Sequence, residues 1–108
     1  MTKARNEYIY QLIGSIKLRQ LTYPAAQSQY ADQPYYKLTI KQENQLSKLI
    51  RVFKEKLTNP TIWAAIQHKE YAKKTYLFKC RNLGGRYYLV DWEELPAEAI
   101  KEVPNELN

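Results

Sequence analysis

A chain of 108 residues, 44% of them hydrophobic, has the length and the apolar content for one domain with a packed core and not for two; no apolar run approaches the roughly 18 residues that span a bilayer. Lys and Arg outnumber Asp and Glu by 17 to 11, and the net charge of +6 favours polyanionic partners without speaking to the fold. One cysteine and one histidine exclude a disulfide framework and are too few for a zinc site of known ligand spacing.

The opening residues, Met1 to Glu7, carry no long apolar segment of the signal-peptide kind. The expected location is therefore the compartment of synthesis: the cytoplasm, or the plastid stroma for an organelle-encoded chain. Tyr8 to Leu21 reads as a long bent strand. Tyr8, Tyr10 and Leu12 alternate with Ile9, Gln11 and Ile13; after Gly14 the alternation resumes with Ile16 and Leu18 against Ser15, Lys17 and Arg19. A glycine inside a strand marks a bulge, a bend or a close backbone approach. In a small barrel the first strand must curl to pair with two neighbours, and Gly14 suits that role.

Thr22 to Pro34 is a polar stretch with turn residues and no period, a loop between two strands. Tyr30 in its middle has two readings, a ring folded onto the barrel rim or a ring that stacks a base. Tyr35 to Lys41 is a clean strand, with Tyr36, Leu38 and Ile40 on one face and Tyr35, Lys37, Thr39 and Lys41 on the other. That second face is either a solvated surface or part of a nucleic-acid groove. Gln42 to Leu57 fits a helix by periodicity, through Leu46, Leu49, Ile50, Phe53 and Leu57. The cluster Ile50-Arg51-Val52-Phe53 and its neighbours instead favour a strand from about Ser47 to Lys54, which is the reading adopted.

Thr58-Asn59-Pro60-Thr61 is a helix start, followed by the short apolar face of Ile62, Trp63, Ala65 and Ile66 up to about His68. Trp63 on such a helix plugs a core more often than it stacks a base. Tyr76, Phe78 and Cys80 then alternate with Leu77, Lys79 and Arg81. A turn at Asn82-Leu83-Gly84-Gly85 returns the chain through Arg86 to Trp92 as a hairpin. Cys80 sits in an apolar alternating segment, where a free cysteine is usually a small buried hydrophobe rather than a nucleophile partnered by His68. No phosphate loop, nucleophile elbow or cluster of metal-binding carboxylates is present, so no catalytic residue, metal or cofactor is expected. Residues 96–108 form an acidic tail broken by Pro96 and Pro104, loose or helical over Ala97 to Val103, and 1–95 form the domain.

The order strand, strand, strand, short helix, hairpin is that of the oligonucleotide/oligosaccharide-binding (OB) fold, an all-β, five-stranded antiparallel barrel. At this point the chain resembles the bacterial single-stranded-DNA-binding protein family, including its primosomal relatives and the short plastid and cyanobacterial reading frames grouped with it. The resemblance covers about Tyr8 to Glu93. Tyr8 to Ile16, with apolar residues running into Gly14, is similar to the family's first strand; Tyr36 to Ile40 is similar to its second and Ile50 to Lys54 to its third. The glycine-rich, acidic-tipped tail and the third-strand tryptophan of typical members are missing. The resemblance implies DNA binding by a homodimer or higher homo-oligomer.

Ten tyrosines and the basic charge, set at strand spacing, suit a platform that stacks unpaired bases and holds their phosphates. The expected partner is thus single-stranded nucleic acid, foremost single-stranded DNA. The candidate contacts are Lys37, Lys41, Arg51, Lys79 and Arg81 for phosphates, and Tyr35, with Tyr30 and Tyr87 after it, for bases. Two other readings stay open: a protein-interaction adaptor on the same scaffold, and RNA or ribosome-associated binding. DNA and RNA differ at the sugar 2′-hydroxyl, which no motif here addresses.

Overall fold

In the computed structural model, residues 9–24 and 33–96 are described. Their elements are β1 (Ile9–Thr22), β2 (Tyr35–Lys41), β3 (Lys48–Val52), a 3₁₀ turn at Lys54–Lys56, α1 (Thr61–Gln67), β4 (Thr75–Leu83) and β5 (Arg86–Leu95). The strands close into a barrel in the order β1-β2-β3-β5-β4, with β4 paired back onto β1. Every ladder is antiparallel except β3 to β5, which run parallel and meet at Arg51 and Tyr88. The expected five-stranded OB-type barrel, with a single short helix between the third and fourth strands, is the fold this chain adopts.

Period-two alternation builds the core. Leu12, Tyr36, Leu38, Ile40, Ile50, Val52, Tyr76, Phe78, Cys80 and Leu89 point inward from all five strands, joined by Ile62 and Ile66 of α1. Burying each of the large aliphatic side chains stabilises the fold by about 1.5–3 kcal/mol. Between Gln42 and Leu57 the strand reading holds, because Ile50 and Val52 are sealed inside while Leu49 and Arg51 face out. The strand stops at Val52, two residues short of the expected Lys54. There Lys56 N donates to Phe53 O at 3.0 Å and turns the chain toward the helix.

Gly14 is where β1 changes neighbours: it pairs with Tyr76 of β4, and the next residue, Ser15, pairs with Lys41 of β2. A Cβ at position 14 would lie 2.6 Å from Ile40 Cγ2 and against the Lys41 carbonyl oxygen, so only glycine lets the strands approach this closely.

The β1–β2 register then shifts between Ile16 and Leu18, leaving Lys17 as a bulge. This corrects the expected alternation, in which Leu18 shared the face of Ile16. The extra residue turns Leu18 outward, 57% exposed, and carries Arg19 toward α1. Arg19 Nη1 donates to the carbonyls of Ile66 and Gln67 at 3.1 and 3.0 Å, and its guanidinium lies 5.3 Å from the Tyr36 ring centre. A cation on the last carbonyls of a helix is favourable through the helix dipole as well as the hydrogen bonds.

The helix starts as its sequence indicates. Asn59 Oδ1 accepts from Thr61 N at 3.0 Å and from Thr61 Oγ1 at 2.7 Å, with Pro60 between them. Ile62 and Ile66 enter the core, and Trp63 packs 4.9 Å from Tyr36, so the tryptophan closes one end of the barrel. At the hairpin, Gly84 and Gly85 take φ of 60° and 83°, the positive values of a two-residue type I′ turn, and Gly85 N donates to Asn82 Oδ1. Tyr30, the start of the first strand at Tyr8 and the segment Ala97 to Val103 lie outside the described residues.

Candidate nucleic-acid interface

The register sets which outward side chains become neighbours. Strands lie about 4.8 Å apart across a ladder, so residues paired in succession form belts around the barrel. One belt runs Gln20, Lys37, Arg51, Tyr88, Arg81, crossing β1, β2, β3, β5 and β4. A second, toward the start of β2, pairs Thr22 with Tyr35. On the other side of the cations, Leu18 and Leu49 flank Thr39 in an exposed apolar belt, at 57% and 40% exposure.

An aromatic ladder accompanies the cation belt. The Tyr35 and Phe53 rings stack with centres 4.5 Å apart and planes 11° apart, and Phe53 meets Tyr88 at 5.6 Å and 46°. Lys56 Nζ stands 5.5 Å from the Tyr88 ring centre. All three rings are half-buried. Phe53 sits beyond the last residue of β3 but keeps an extended backbone, φ −107° and ψ 130°, which continues the outward alternation after Arg51. Phe53, Tyr88 and Lys56 are the three residues of this cluster that sequence reasoning missed. The signal was present: Phe53 follows Leu49 and Arg51 at period two. Tyr88 alternates with the inward Leu89, which puts Tyr88 outside.

Of the candidate residues, Tyr35, Lys37 and Arg51 come together, and Arg81 joins them along the belt through Tyr88. Lys41 does not. It lies four residues beyond Lys37, about 13 Å along an extended strand, next to Ser15. Lys79 faces the acidic side of the β4–β5 ladder, paired across it with Asp91, with its Nζ 4.0 Å from Glu93 Oε1. Tyr87 is not on the outer face at all. It turns into the mouth of the barrel away from α1, where its ring stacks on Tyr10 at 4.4 Å with Lys48 Nζ 4.8 Å from its centre. Two adjacent tyrosines in a strand point opposite ways, and the pairing of Cys80 with the inward Leu89 settles which is which. Tyr30 lies outside the described residues.

Cys80 is fully enclosed, and burial pushes its thiol up to about 12, so it rests as a neutral core group. Among the described residues no three His, Cys, Asp or Glu side chains group as a metal site. No described helix is long and apolar enough to cross a membrane. Compared with family models, with curated proteins and with solved structures, the chain matches none.

Proposed function

We propose that this chain binds single-stranded nucleic acid, single-stranded DNA foremost, without catalysing a reaction, on the outward face of β2, β3 and the start of β5. The observation that carries this reading is the Tyr35–Phe53–Tyr88 ladder lying along the cations Lys37, Arg51 and Lys56. Bases offer flat faces that extend such a stack at its Tyr35 end. Phosphates offer one negative charge per nucleotide to the lysine and arginine side chains. Nothing in the arrangement demands base-edge hydrogen bonds, so the binding is sequence-tolerant. A duplex keeps its base faces stacked inside and has only its phosphates to give.

On this reading the chain is a distant relative of the single-stranded-DNA-binding proteins, working in the cytoplasm or a plastid stroma. It associates as a homodimer or higher homo-oligomer, to which the exposed Leu18 and Leu49 would contribute. The test is a titration with oligo-dT, its duplex and its RNA counterpart at several salt concentrations. Oligo-dT should bind tightest against duplex, with log K falling by about 0.7 per engaged phosphate for each decade of salt. Equal affinity for duplex and single strand, or no binding at low salt, would overturn the proposal.

A further inference from the structure

The turn at Gly14 leaves one edge of part of β1 without a partner strand among the described residues. From Tyr10 to Ile13 the strand pairs with β4 along one edge, while its pairing with β2 begins only at Ser15. Alternate residues of Tyr10 to Ile13 therefore turn their N–H and C=O groups away from β4, toward an edge that no described strand occupies. That edge does not look onto open solvent alone. It forms one wall of a cleft of about 520 Å³ whose other wall is the loop joining β2 to β3, including Glu43 and Gln45, with Leu77 beside Ile13. Gln42, also at the cleft, donates from Nε2 to Leu46 O at 2.9 Å and holds that loop in shape.

The chemistry of the cleft differs from that of the ring ladder. Among the described residues Glu43 is the one charged group of its lining, with Lys48 Nζ 5.5 Å from the Tyr10 ring centre at its edge, so the cleft lacks the row of cations that holds a phosphate chain. Its polar groups are amide side chains and strand backbone; its apolar ones are Ile13, 49% exposed, and Leu77. Backbone donors and acceptors spaced along a strand edge are matched by another extended backbone. We propose that this edge takes an extended peptide segment of a partner protein, added to β1 as a further strand, with apolar side chains over Ile13 and Leu77 and a basic residue at Glu43. The proposal is independent of the nucleic-acid reading and uses none of its residues.

The test is amide hydrogen exchange of the whole chain with an acetylated, amidated peptide alternating lysine and valine, and with the same peptide N-methylated at every residue. The expected result is slower exchange at alternate amides of Tyr10 to Ile13, by roughly tenfold or more at saturation, with the first peptide alone. Glu43→Lys should weaken that peptide about two- to five-fold, the range of an exposed charge pair, and favour a glutamate–valine peptide instead. Tyr35→Ala should leave peptide binding as it is. Three results would overturn the proposal: unchanged exchange at millimolar peptide, equal effect of the N-methylated peptide, or edge amides already protected without peptide in a species that sedimentation shows to be a dimer. The last result would give the edge to a second copy of the chain.

Discussion

Tyr35→Ala is the substitution that most directly separates a stacking platform from a solubilising surface. Tyr35 ends the ring ladder, with one face against Phe53 at 4.5 Å. On the proposed function the other face takes a base, and base–aromatic stacking is worth about 1–3 kcal/mol, so removing the ring should weaken oligo-dT binding roughly 5- to 150-fold. The ring carries no charge, and the slope of affinity against salt should not change. The same substitution removes a ring–ring contact of about 0.5–1.5 kcal/mol from the fold. For a domain of this size that lowers Tm by roughly 2–12 °C, and binding must be read well below the new midpoint. Tyr35→Phe keeps the ring and should bind as the parent does. The assay is anisotropy of a labelled oligo-dT across a salt series, with each variant's fold checked by circular dichroism. A folded Tyr35→Ala that binds like the parent would refute the stacking argument and move the function toward a protein adaptor.

Lys37→Ala should lower the magnitude of the salt slope by about 0.7, the contribution of one phosphate on a single strand, whereas Lys41→Ala and Lys79→Ala should leave it unchanged; equal effects of all three would mean that only net charge matters. Gly14→Ala places a Cβ against Ile40 and the Lys41 carbonyl, and overpacking of this kind costs about 1–3 kcal/mol, visible as a lower denaturation midpoint with unchanged m-value. Cys80 and Tyr76 both have acid dissociation pushed up to about 12, Cys80 by burial and Tyr76 by burial followed by Glu94 and Glu70. The unfolded chain gives up these protons first. Stability should therefore be full below about pH 9 and fall as pH rises from there toward 12, as read from urea midpoints across that range.

The strands and their faces were legible where alternation is uninterrupted. Tyr35–Lys41 has the bounds that its sequence indicates, and Tyr76, Phe78 and Cys80 are all inside. The same rule misplaced Leu18 and Arg19 because a bulge adds one residue to one strand only. Lys17 carries no local mark of a bulge; its cause is the pairing with β2, which lies about twenty residues away in sequence. Of the candidate site, the part carried by a single strand was readable: Tyr35 and Lys37 follow from the alternation of β2. The parts that depend on neighbours were not. Phe53 joins Tyr35 only because Arg51 pairs with Lys37, and Tyr88 joins Phe53 through the one parallel contact in the barrel. Lys79 and Arg81 share one face of one strand, yet the return strand gives Lys79 acidic neighbours and Arg81 a tyrosine.

That difference between Lys79 and Arg81 is part of a wider asymmetry among the described residues, and on the proposed function it bears on how a polyanion would approach. Among the described residues the two ion pairs, Lys74 with Glu94 at 3.6 Å and Lys79 with Glu93 at 4.0 Å, lie along β5 and β4, with Lys74 just ahead of β4, and Asp91 adds a further negative charge there. Exposed pairs like these contribute about 0–1 kcal/mol each to stability, so holding the fold is not their main consequence. They cancel cations on one side of the barrel, and neither pair involves Lys37, Arg51 or Lys56. Among the described residues the face of β2, β3 and the turn that follows, where the rings are, thus keeps cations that neither pair neutralises. Fields between exposed charges fade beyond about 8–10 Å at physiological salt. On the proposed function an approaching strand would feel this asymmetry only near contact, where the ring ladder would be the surface it meets.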